Sequence, residues 1–282
     1  MKILLTNDDG LFAPGIAAMH EALVDSGGVC GGPLGEMVFT VAPESVQSAT
    51  SHGVTFHTPL TAKTMRVSPA MEGVAVGGRP ADCVKLAVAN IWPEKFGAHS
   101  RPDLVISGMN AGANVGINVI YSGTVAAALE AAFLGIPSIA VSLHIGGSRP
   151  DFALAARHGR RAIDAIVRSG ALTPHACLSV NVPVIDIGMP ASQTRELPIR
   201  VCPMNTHGLV DKYERRVSPL GDVYYWAAGH GLDFRGTDEG SDVQGIFKRQ
   251  ITVTPLRYDL TKKSVVSAWR EKLDAAVSLD RA

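Results

Sequence analysis

Short apolar segments alternate with helical patterns over the first two thirds of the chain, and this alternation limits the possible folds more than any other feature. The apolar segments are continuous runs, as is typical of parallel strands that are covered on both faces. Predicted strands begin near Ile3, Met37, Leu104, Ile136 and Leu178. Alternation of this kind predicts an α/β fold built on a mostly parallel sheet with helices on both faces.

Four helices are predicted between these strands, over Gly15–Val24, from Pro80 to Ala89, from Ser122 to Gly135 and over Asp151–Val167. Pro80 is at the first helical position, which proline favours because its missing N–H has no partner there. Apolar and polar residues alternate over residues 54–76, which also contain turn residues. This pattern predicts a small antiparallel segment. Residues 27–35 are rich in glycine and predict a surface loop.

The pattern changes from about Pro183 onward. A hairpin is predicted around Pro219–Asp222, followed by a late strand within QITVTPLRYDL. A terminal helix is predicted from the spacing of its apolar residues, which are Val265, Val266, Trp269, Leu273 and Val277. We therefore predict a core over residues 1–182 and an extension over 183–282, whose projecting hairpin serves subunit contacts or simply extends the sheet.

Composition excludes several classes of protein. The 282 residues are 46% hydrophobic and 18% charged, so the chain can bury a large core. Lys+Arg and Asp+Glu each total 26, which argues against a protein that binds a nucleic-acid polymer through a basic surface. The four cysteines form no CxxC pair, as expected of reduced thiols. Neither a signal peptide nor a membrane-spanning run is recognisable, so a cytoplasmic protein without membrane contact is expected.

Three polar loops follow predicted strands. Their sequences are TNDDG, VAPESVQSATSHG and SGMNAGANVGINVIYSGT. In open α/β sheets, ligands bind just beyond the carboxyl ends of the strands. If their strands are neighbours, the three loops are therefore expected to converge on one crevice.

The first loop places two carboxylates, Asp8 and Asp9, side by side directly after a buried strand. Neighbouring acids repel each other, which predicts a cation between them. The other loops offer hydroxyl and amide oxygens, which suit Mg²⁺, Mn²⁺ or Ca²⁺ rather than zinc. No pair among His52, His144 and His207 has metal-ligand spacing, so each is expected at the surface or in an ordinary hydrogen bond. An ordinary turn is the alternative interpretation of Asn-Asp-Asp-Gly.

The third loop ends at Ser122-Gly123-Thr124, where the alanine-rich helix begins. Helix N-termini bind phosphate through free amide groups and the helix dipole. The alternative is an ordinary Ser/Thr N-cap, which needs no ligand. The nearby glycines of NAGANVG allow backbone amides to approach an anion, which favours a phosphate.

A metal beside a phosphate predicts hydrolysis of a phosphate ester by a metal-activated water. Asp8 or Asp9 is the candidate general base, and the two are not distinguished. An aspartyl nucleophile is a weaker alternative, because the two acids are neighbours and not spaced as D-x-D. GxxxxGK[ST] and GxGxxG are both absent, which excludes a P-loop ATPase and argues against dinucleotide binding.

Six motifs follow one another along almost the whole chain, from Met1 to about Leu256. They are ILLTNDDG, VAPESVQSATSHGVT, GGRPADCVKLA, LVISGMNAGANVG, VIYSGTVAAALEAA and ITVTPL. In this order they are similar to the motifs of the SurE survival proteins. The chain resembles a SurE-type 5′/3′-nucleotidase.

The resemblance implies a Rossmann-like core and a divalent-metal-dependent phosphatase that acts on nucleoside 5′- and 3′-monophosphates, and in some members on short polyphosphate. It implies one Mg²⁺ or Mn²⁺ per subunit and a homodimer or homotetramer. The implied metal ligands are Asp8, Asp9, Ser48 and Asn110. The implied phosphate and substrate contacts are Asn114, Ser122, Gly123 and Thr124.

Four departures from the family pattern stand out. Gln47 stands where a basic residue is common, and Asn118 stands where an acid is common. Arg79 stands where a threonine is usual, and it would either contact phosphate or point to solvent. Residues 27–35 lengthen a loop away from the predicted site. A non-catalytic nucleotide-binding regulator on the same scaffold is the second hypothesis, and the intact ligand set argues against it.

Overall fold

A computed structural model describes residues 1–228 and 231–279 and shows one large sheet with a separate hairpin. The strands are β1 Lys2–Thr6, β2 Met37–Pro43, β3 Ala62–Ser68, β4 Met71–Val76, β5 Leu104–Ala111, β6 Ser138–Leu143, β7 Cys177–Val182, β8 Ile199–Val201, β9 Tyr213–Val217, β10 Val223–Ala227 and β11 Ile251–Leu256. Within the described residues the large sheet has the order β3-β4-β2-β1-β5-β6-β7-β11-β8, and β9 pairs with β10 alone.

The centre of the sheet is parallel, as the sequence predicted. β1 pairs in parallel with β2 on one side and β5 on the other, and β6 and β7 continue the parallel set. β4 is parallel to β2 and antiparallel to β3, which confirms the antiparallel segment over 54–76. The carboxyl ends of β1, β2 and β5 therefore meet at one edge, with their loops beside each other.

Eight α-helices lie in the described part of the chain. They are α1 Pro14–Val24, α2 Pro80–Leu86, α3 Trp92–Phe96, α4 Gly123–Phe133, α5 Phe152–Arg168, α6 Ala191–Thr194, α7 Asp242–Phe247 and α8 Val266–Leu279. α1 and α5 cover one face of the sheet, while α2 and α4 cover the other. Helices on both faces of a mostly parallel sheet confirm the predicted fold class.

One predicted helix is longer than expected. The sequence placed its end at Ala89, but a π-helical segment over Ala87–Ile91 continues it into α3. Trp92 is fully buried and contacts Phe39, with ring centroids 5.9 Å apart. Burial of so large an aromatic side chain stabilises the continuation beyond the predicted end.

The C-terminal extension continues the sheet. The predicted late strand is β11, which pairs antiparallel with β7, and β8 pairs in parallel with β11. The predicted hairpin and terminal helix are also present, as β9–β10 and α8. The short elements β8, α6 and α7 were not predicted, because so few residues carry little periodicity. A boundary between residues 182 and 183 remains a prediction, since the sheet runs across it.

Across the described residues no helix combines the length and the apolar character that crossing a membrane requires.

A candidate metal- and phosphate-binding cleft

The loops that follow β1, β2 and β5 line a cleft of about 350 Å³ at the carboxyl edge of the sheet. Five of the eight side chains that the sequence singled out border this cleft: Asp8, Ser48, Asn110, Asn114 and Ser122. These residues come from three separate segments of the chain. The expectation that the three polar loops converge on one crevice is therefore met by the fold.

Asp8 is the most deeply placed acid of the cleft, with 4% of its surface exposed. Its Oδ1 accepts a hydrogen bond from the hydroxyl of Thr124. Burial, the largest effect, and the negative charge of Asp9 raise the pKa of Asp8, hydrogen bonds partly oppose them, and the net result is a pKa of about 6. A buried carboxylate with a neighbouring like charge favours a bound cation.

Gly123 and Thr124 lie behind Asp8 and do not border the cleft. Thr124 is fully buried, and its hydroxyl is used by Asp8. A Cβ at Gly123 would lie 2.8 Å from Cβ of Asp8, so any larger residue would displace the carboxylate. The sequence assigned both residues to the phosphate, but the structure places their side-chain positions against Asp8, because α4 starts directly over the end of β1.

Asp9 lies next to the cleft without bordering it. Its Oδ2 accepts a hydrogen bond of 2.9 Å from the backbone N–H of Ala111, a residue that does border the cleft. Asp9 itself faces an adjoining depression next to Phe152. Burial raises its pKa, and the Ala111 hydrogen bond partly opposes the shift. Asp9 is thus near the cleft through Ala111, without bordering the same space as Asp8.

Asn110 is the second-last residue of β5, and a hydrogen bond holds its side-chain amide in place. Its Nδ2 donates to the carbonyl of Gly112 over 2.7 Å. Its Oδ1 has no hydrogen-bond partner within residues 1–228 and 231–279, which leaves it available as a ligand. Over the same ranges, no group of three or more His, Cys, Asp and Glu side chains is arranged to hold a metal. The four predicted metal ligands do not form a group of this kind, because only Asp8 and Asp9 among them are acids and the others are a serine and an asparagine.

Ser48 belongs to an exposed loop that is tied down at both ends. The backbone N–H of Gln47 donates to the carbonyl of Asp8 over 2.8 Å. At the far end, His52 Nε2 lies 2.8 Å from the buried Glu130, which also contacts Lys85. Burial alone would raise the pKa of Glu130, but the bonds from His52 and Lys85 outweigh it and lower the pKa. The hydrogen bond expected for His52 thus helps to place Ser48.

Asn114 takes part in a buried polar network that the sequence did not predict. Its backbone N–H donates to Oδ1 of Asn181 over 2.8 Å, and its Nδ2 donates to Oγ of Ser142 over 2.8 Å. Asn181 and Ser142 lie within β7 and β6. The polar residues inside these otherwise apolar strand sequences could have predicted the network, because buried polar groups need hydrogen-bond partners.

Ser122 is the N-cap of α4. Its Oγ accepts a hydrogen bond of 3.1 Å from the backbone N–H of Val125, so the N-cap interpretation is confirmed. Ser122 also borders the cleft, and a capping hydroxyl keeps its own proton to donate. Capping and ligand binding are therefore compatible here.

The C-terminal extension forms one wall of the cleft through Gly231 and Leu232. Asp242, at the start of α7, accepts a hydrogen bond of 2.8 Å from the backbone N–H of Gly116. Asn118 donates from Nδ2 to the carbonyl of Gly231. No sequence signal predicted this wall, because its contacts join segments more than 100 residues apart.

His144 also borders the cleft, although the sequence gave it no special role. Its ring packs edge-on against Phe247, with centroids 5.7 Å apart. Burial lowers the pKa of His144, and the charge of Asp186 partly opposes this shift. Burial therefore favours the neutral form of the ring, which can face a ligand without adding charge.

The family model described as Survival protein SurE matches residues 3–209 of the chain. The chain belongs to the SurE family. A SurE protein from Aquifex aeolicus of known crystal structure has a TM-score of 0.74 and 32% identity, with 95% of this chain and 98% of that chain covered. The Rossmann-like α/β fold of this SurE chain is thus shown by both sequence and structure.

Two further relatives carry an activity in their names. A protein named 5′-nucleotidase SurE from Syntrophobacter fumaroxidans is 41% identical over 94% of this chain and 97% of its own length. A protein named 5′-nucleotidase SurE 1 from Thermus thermophilus is 40% identical over 95% of this chain and 96% of its own length. The similarity to SurE proteins therefore spans nearly the full length of both partners.

Arg79, a departure from the usual SurE pattern, does not border the cleft. Its guanidinium packs against Gly53, and its backbone N–H donates to Oδ2 of Asp82 over 2.9 Å. Asp82 also accepts two hydrogen bonds from Thr55. These residues fix the loop that precedes α2. Arg79 is exposed, as the solvent alternative predicted, and its guanidinium lies beside Gly53 and not in the cleft.

Proposed function

We propose that the chain is a divalent-metal-dependent nucleotidase that hydrolyses nucleoside 5′- and 3′-monophosphates to nucleoside and phosphate. The names of its full-length relatives support the 5′ activity. Activity on 3′-monophosphates and on short polyphosphate rests on the resemblance of the motifs. A cytoplasmic location is part of the same proposal, and the four cysteines are free, as that location requires.

One observation carries the proposal: a buried carboxylate, Asp8, shares a cleft with the oxygen-bearing side chains of Ser48 and Asn110. Burying a charge without a partner is costly, and the raised pKa of Asp8 reflects this cost. Positive charge at this position would offset it. Among the described residues that border the cleft none is a lysine or arginine, so we infer a cation from solution.

The donor set fits Mg²⁺ or Mn²⁺, one ion per subunit. Asp8, Asp9, Ser48 and Asn110 would hold it, and all four offer oxygen atoms, which these hard cations prefer. When bound, such an ion lowers the pKa of a coordinated water and neutralises charge on phosphoryl oxygens. Asp8 or Asp9 would take up the proton released by the attacking water.

The phosphate would lie at the start of α4. Ser122 borders the cleft there and retains a hydroxyl proton to donate. The free backbone N–H groups of the first helical turn, which includes Gly123 and Thr124, add positive potential at that end of the helix. Asn114, held rigid by Asn181 and Ser142, borders the cleft on the other side.

The test compares Asp8→Asn with the unaltered chain in release of inorganic phosphate from 5′-AMP and 3′-AMP, with Mg²⁺ or Mn²⁺. Loss of a metal-holding carboxylate is expected to reduce the rate at least about a hundredfold. Asp211→Asn, at an exposed position, is the matched control and is expected to retain full activity. Activity of Asp8→Asn within about twofold of the parent would exclude this role for Asp8. Saturable AMP binding without turnover by the parent chain would instead support the regulator hypothesis.

We also propose that the chain forms a homodimer or homotetramer through its C-terminal hairpin. Every residue of β9 and β10 is exposed. The strand register places Tyr213, Val217, Val223 and Tyr225 on one face. α8 likewise exposes Trp269, Leu273 and Val277. A row of exposed apolar side chains on a projecting element supports contact with a second copy of the chain.

A further inference from the structure

A second cavity, of about 580 Å³, lies beside α5 on the face of the sheet that α1 and α5 cover. Its walls are α5, the residues around α6, and the glycine-rich loop before β2. Three arginines border it: Arg157, Arg161 and Arg195. None of the residues that border this cavity borders the candidate cleft.

The glycine-rich loop is held in a fixed shape, although it has no regular structure. Asp25 accepts hydrogen bonds from the backbone N–H groups of Cys30 and Gly32, over 2.9 and 2.7 Å. The buried Arg160 donates from Nη2 to the carbonyl of Gly32 over 2.8 Å. These bonds fix Cys30 in the cavity wall, which gives a structural role to residues 27–35.

The arginines of the cavity lack opposite charges. Asp164, the carboxylate among the residues that border it, is 2.9 Å from Nε of Arg160 and is neutralised by it. Neither Arg157 nor Arg195 forms an ion pair within residues 1–228 and 231–279. Arg161 donates from Nη2 to the carbonyl of Leu197, and its buried Nε has no hydrogen-bond partner in the described structure. Three arginine side chains therefore border one cavity, and the Nε–H of Arg161 is a hydrogen-bond donor without an acceptor in the described structure.

We propose that this cavity is a second ligand site, which binds a small phosphate-bearing anion with two or more negative charges. Guanidinium groups bind phosphate oxygens through paired N–H donors and keep their charge at all physiological pH values. A multiply charged anion would relieve the repulsion among Arg157, Arg161 and Arg195. The site goes beyond the proposed hydrolysis, since it shares no residue with the cleft.

Cys30 offers a local readout of occupancy, because it borders the cavity and is partly exposed. The other cysteines, Cys83, Cys177 and Cys202, are buried. The experiment follows alkylation of Cys30 by iodoacetamide, by mass spectrometry of the full chain after digestion. Inorganic pyrophosphate is the probe, with EDTA present and with sodium chloride at equal ionic strength as the reference.

Pyrophosphate is expected to slow Cys30 alkylation saturably by about fivefold or more, because an anion bound in the cavity covers the thiol. The double variant Arg157→Gln/Arg195→Gln is expected to lose this protection. Arg168→Gln, an exposed position on the same helix, is the matched control and should retain it. Protection should also persist in Asp8→Asn, which separates this site from the cleft.

Three results would overturn the proposal. The first is no protection by pyrophosphate beyond that of sodium chloride. The second is equal protection in the double variant, provided that its circular-dichroism melting curve matches the parent. The third is protection that follows protein concentration and not pyrophosphate, which would assign the cavity to a contact between copies of the chain.

Discussion

The hydroxyl of Thr124, in the first turn of α4, donates a hydrogen bond to Oδ1 of Asp8, just beyond the end of β1. The two residues are 116 positions apart in the chain. This bond joins the start of the predicted phosphate-binding helix to the acid that carries the metal proposal. Its removal should therefore affect the cleft without changing any residue that borders it.

Thr124→Val is expected to lower kcat/KM for phosphate release from 5′-AMP about tenfold or more. Valine has the same shape but leaves the buried carboxylate of Asp8 without its donor, and a hydrogen bond to a charged group contributes about 1.5–3 kcal/mol. Thr124→Ser keeps the hydroxyl and is expected to stay close to the parent. Equal rates for the valine and serine variants would show that the bond does not position Asp8.

Gly123→Ala is expected to displace Asp8 and to reduce activity by about tenfold or more, because overpacking of this kind costs about 1–3 kcal/mol. The new Cβ would lie 2.8 Å from Cβ and 3.0 Å from Oδ2 of Asp8. Gly147→Ala is the matched control, since an added Cβ there meets nothing within 4 Å. Steady-state kinetics and Mn²⁺ titration calorimetry measure both variants, and unchanged Mn²⁺ affinity in Gly123→Ala would contradict the expectation.

Mn²⁺ affinity is expected to fall as the pH drops below about 6. In the metal-free chain burial raises the pKa of Asp8 to about 6, so below this pH a proton must leave before the metal binds. One competing proton predicts a loss of about tenfold per pH unit below pH 6. Titration calorimetry between pH 5 and 7.5 measures the slope, and Asp8→Asn, which has no such proton, should flatten it.

The same pKa shift has a consequence for the folding of the metal-free chain. A carboxyl whose pKa is raised on folding stabilises the folded state most below its unfolded pKa, and this contribution is lost as pH rises through about 6. Metal-free Asp8→Asn should therefore gain stability relative to the parent at pH 8 compared with pH 5, by about 1.4 kcal/mol, because pH 5 lies about one unit below the folded pKa of about 6. Urea unfolding at the two pH values measures the difference, and a gap that does not change with pH would contradict the assignment.

If the proposed oligomer forms through the hairpin, Val223→Glu/Tyr225→Glu is expected to convert it to a monomer. Both side chains lie on the same exposed face of the hairpin, and burying two carboxylates in an apolar contact would be strongly unfavourable. Phe56→Glu, at an exposed apolar residue outside the hairpin, should leave the oligomer intact. Size-exclusion chromatography with light scattering distinguishes the outcomes, and an unchanged mass for the double variant would place the interface elsewhere.

The sheet was predictable because its information is local. Continuous apolar runs such as those of β1, β5 and β6 have no stable alternative to burial on both faces. The late strand β11 and the hairpin were likewise recognisable from β-branched residues and turn residues. The π-helical continuation into α3 was missed, because its cause is the burial of Trp92 against Phe39, a contact between distant segments.

Residue type and position in the polar loops after β1, β2 and β5 indicated a metal and a phosphate site, and the resemblance to SurE proteins selected Ser48, Asn110 and Asn114 within those loops. The tertiary structure decided how they are used. It placed Asp8 in the cleft with Ser48 and Asn110, Asp9 in an adjoining depression, and Thr124 behind Asp8. Which way a side chain points depends on the packing of α4 over β1, and no local pattern records that packing.

By itself, then, the sequence determined the parallel α/β core and the chemistry of the loops at its edge, because hydrophobic periodicity and residue type act over a few neighbouring positions. Only the tertiary structure decided the wall that Leu232 adds to the cleft, the network of Asn114 with Asn181, and the arginine-lined cavity beside α5. Each of these joins segments far apart in the chain. Burial, charge and hydrogen bonding at such contacts exist only once the chain has folded.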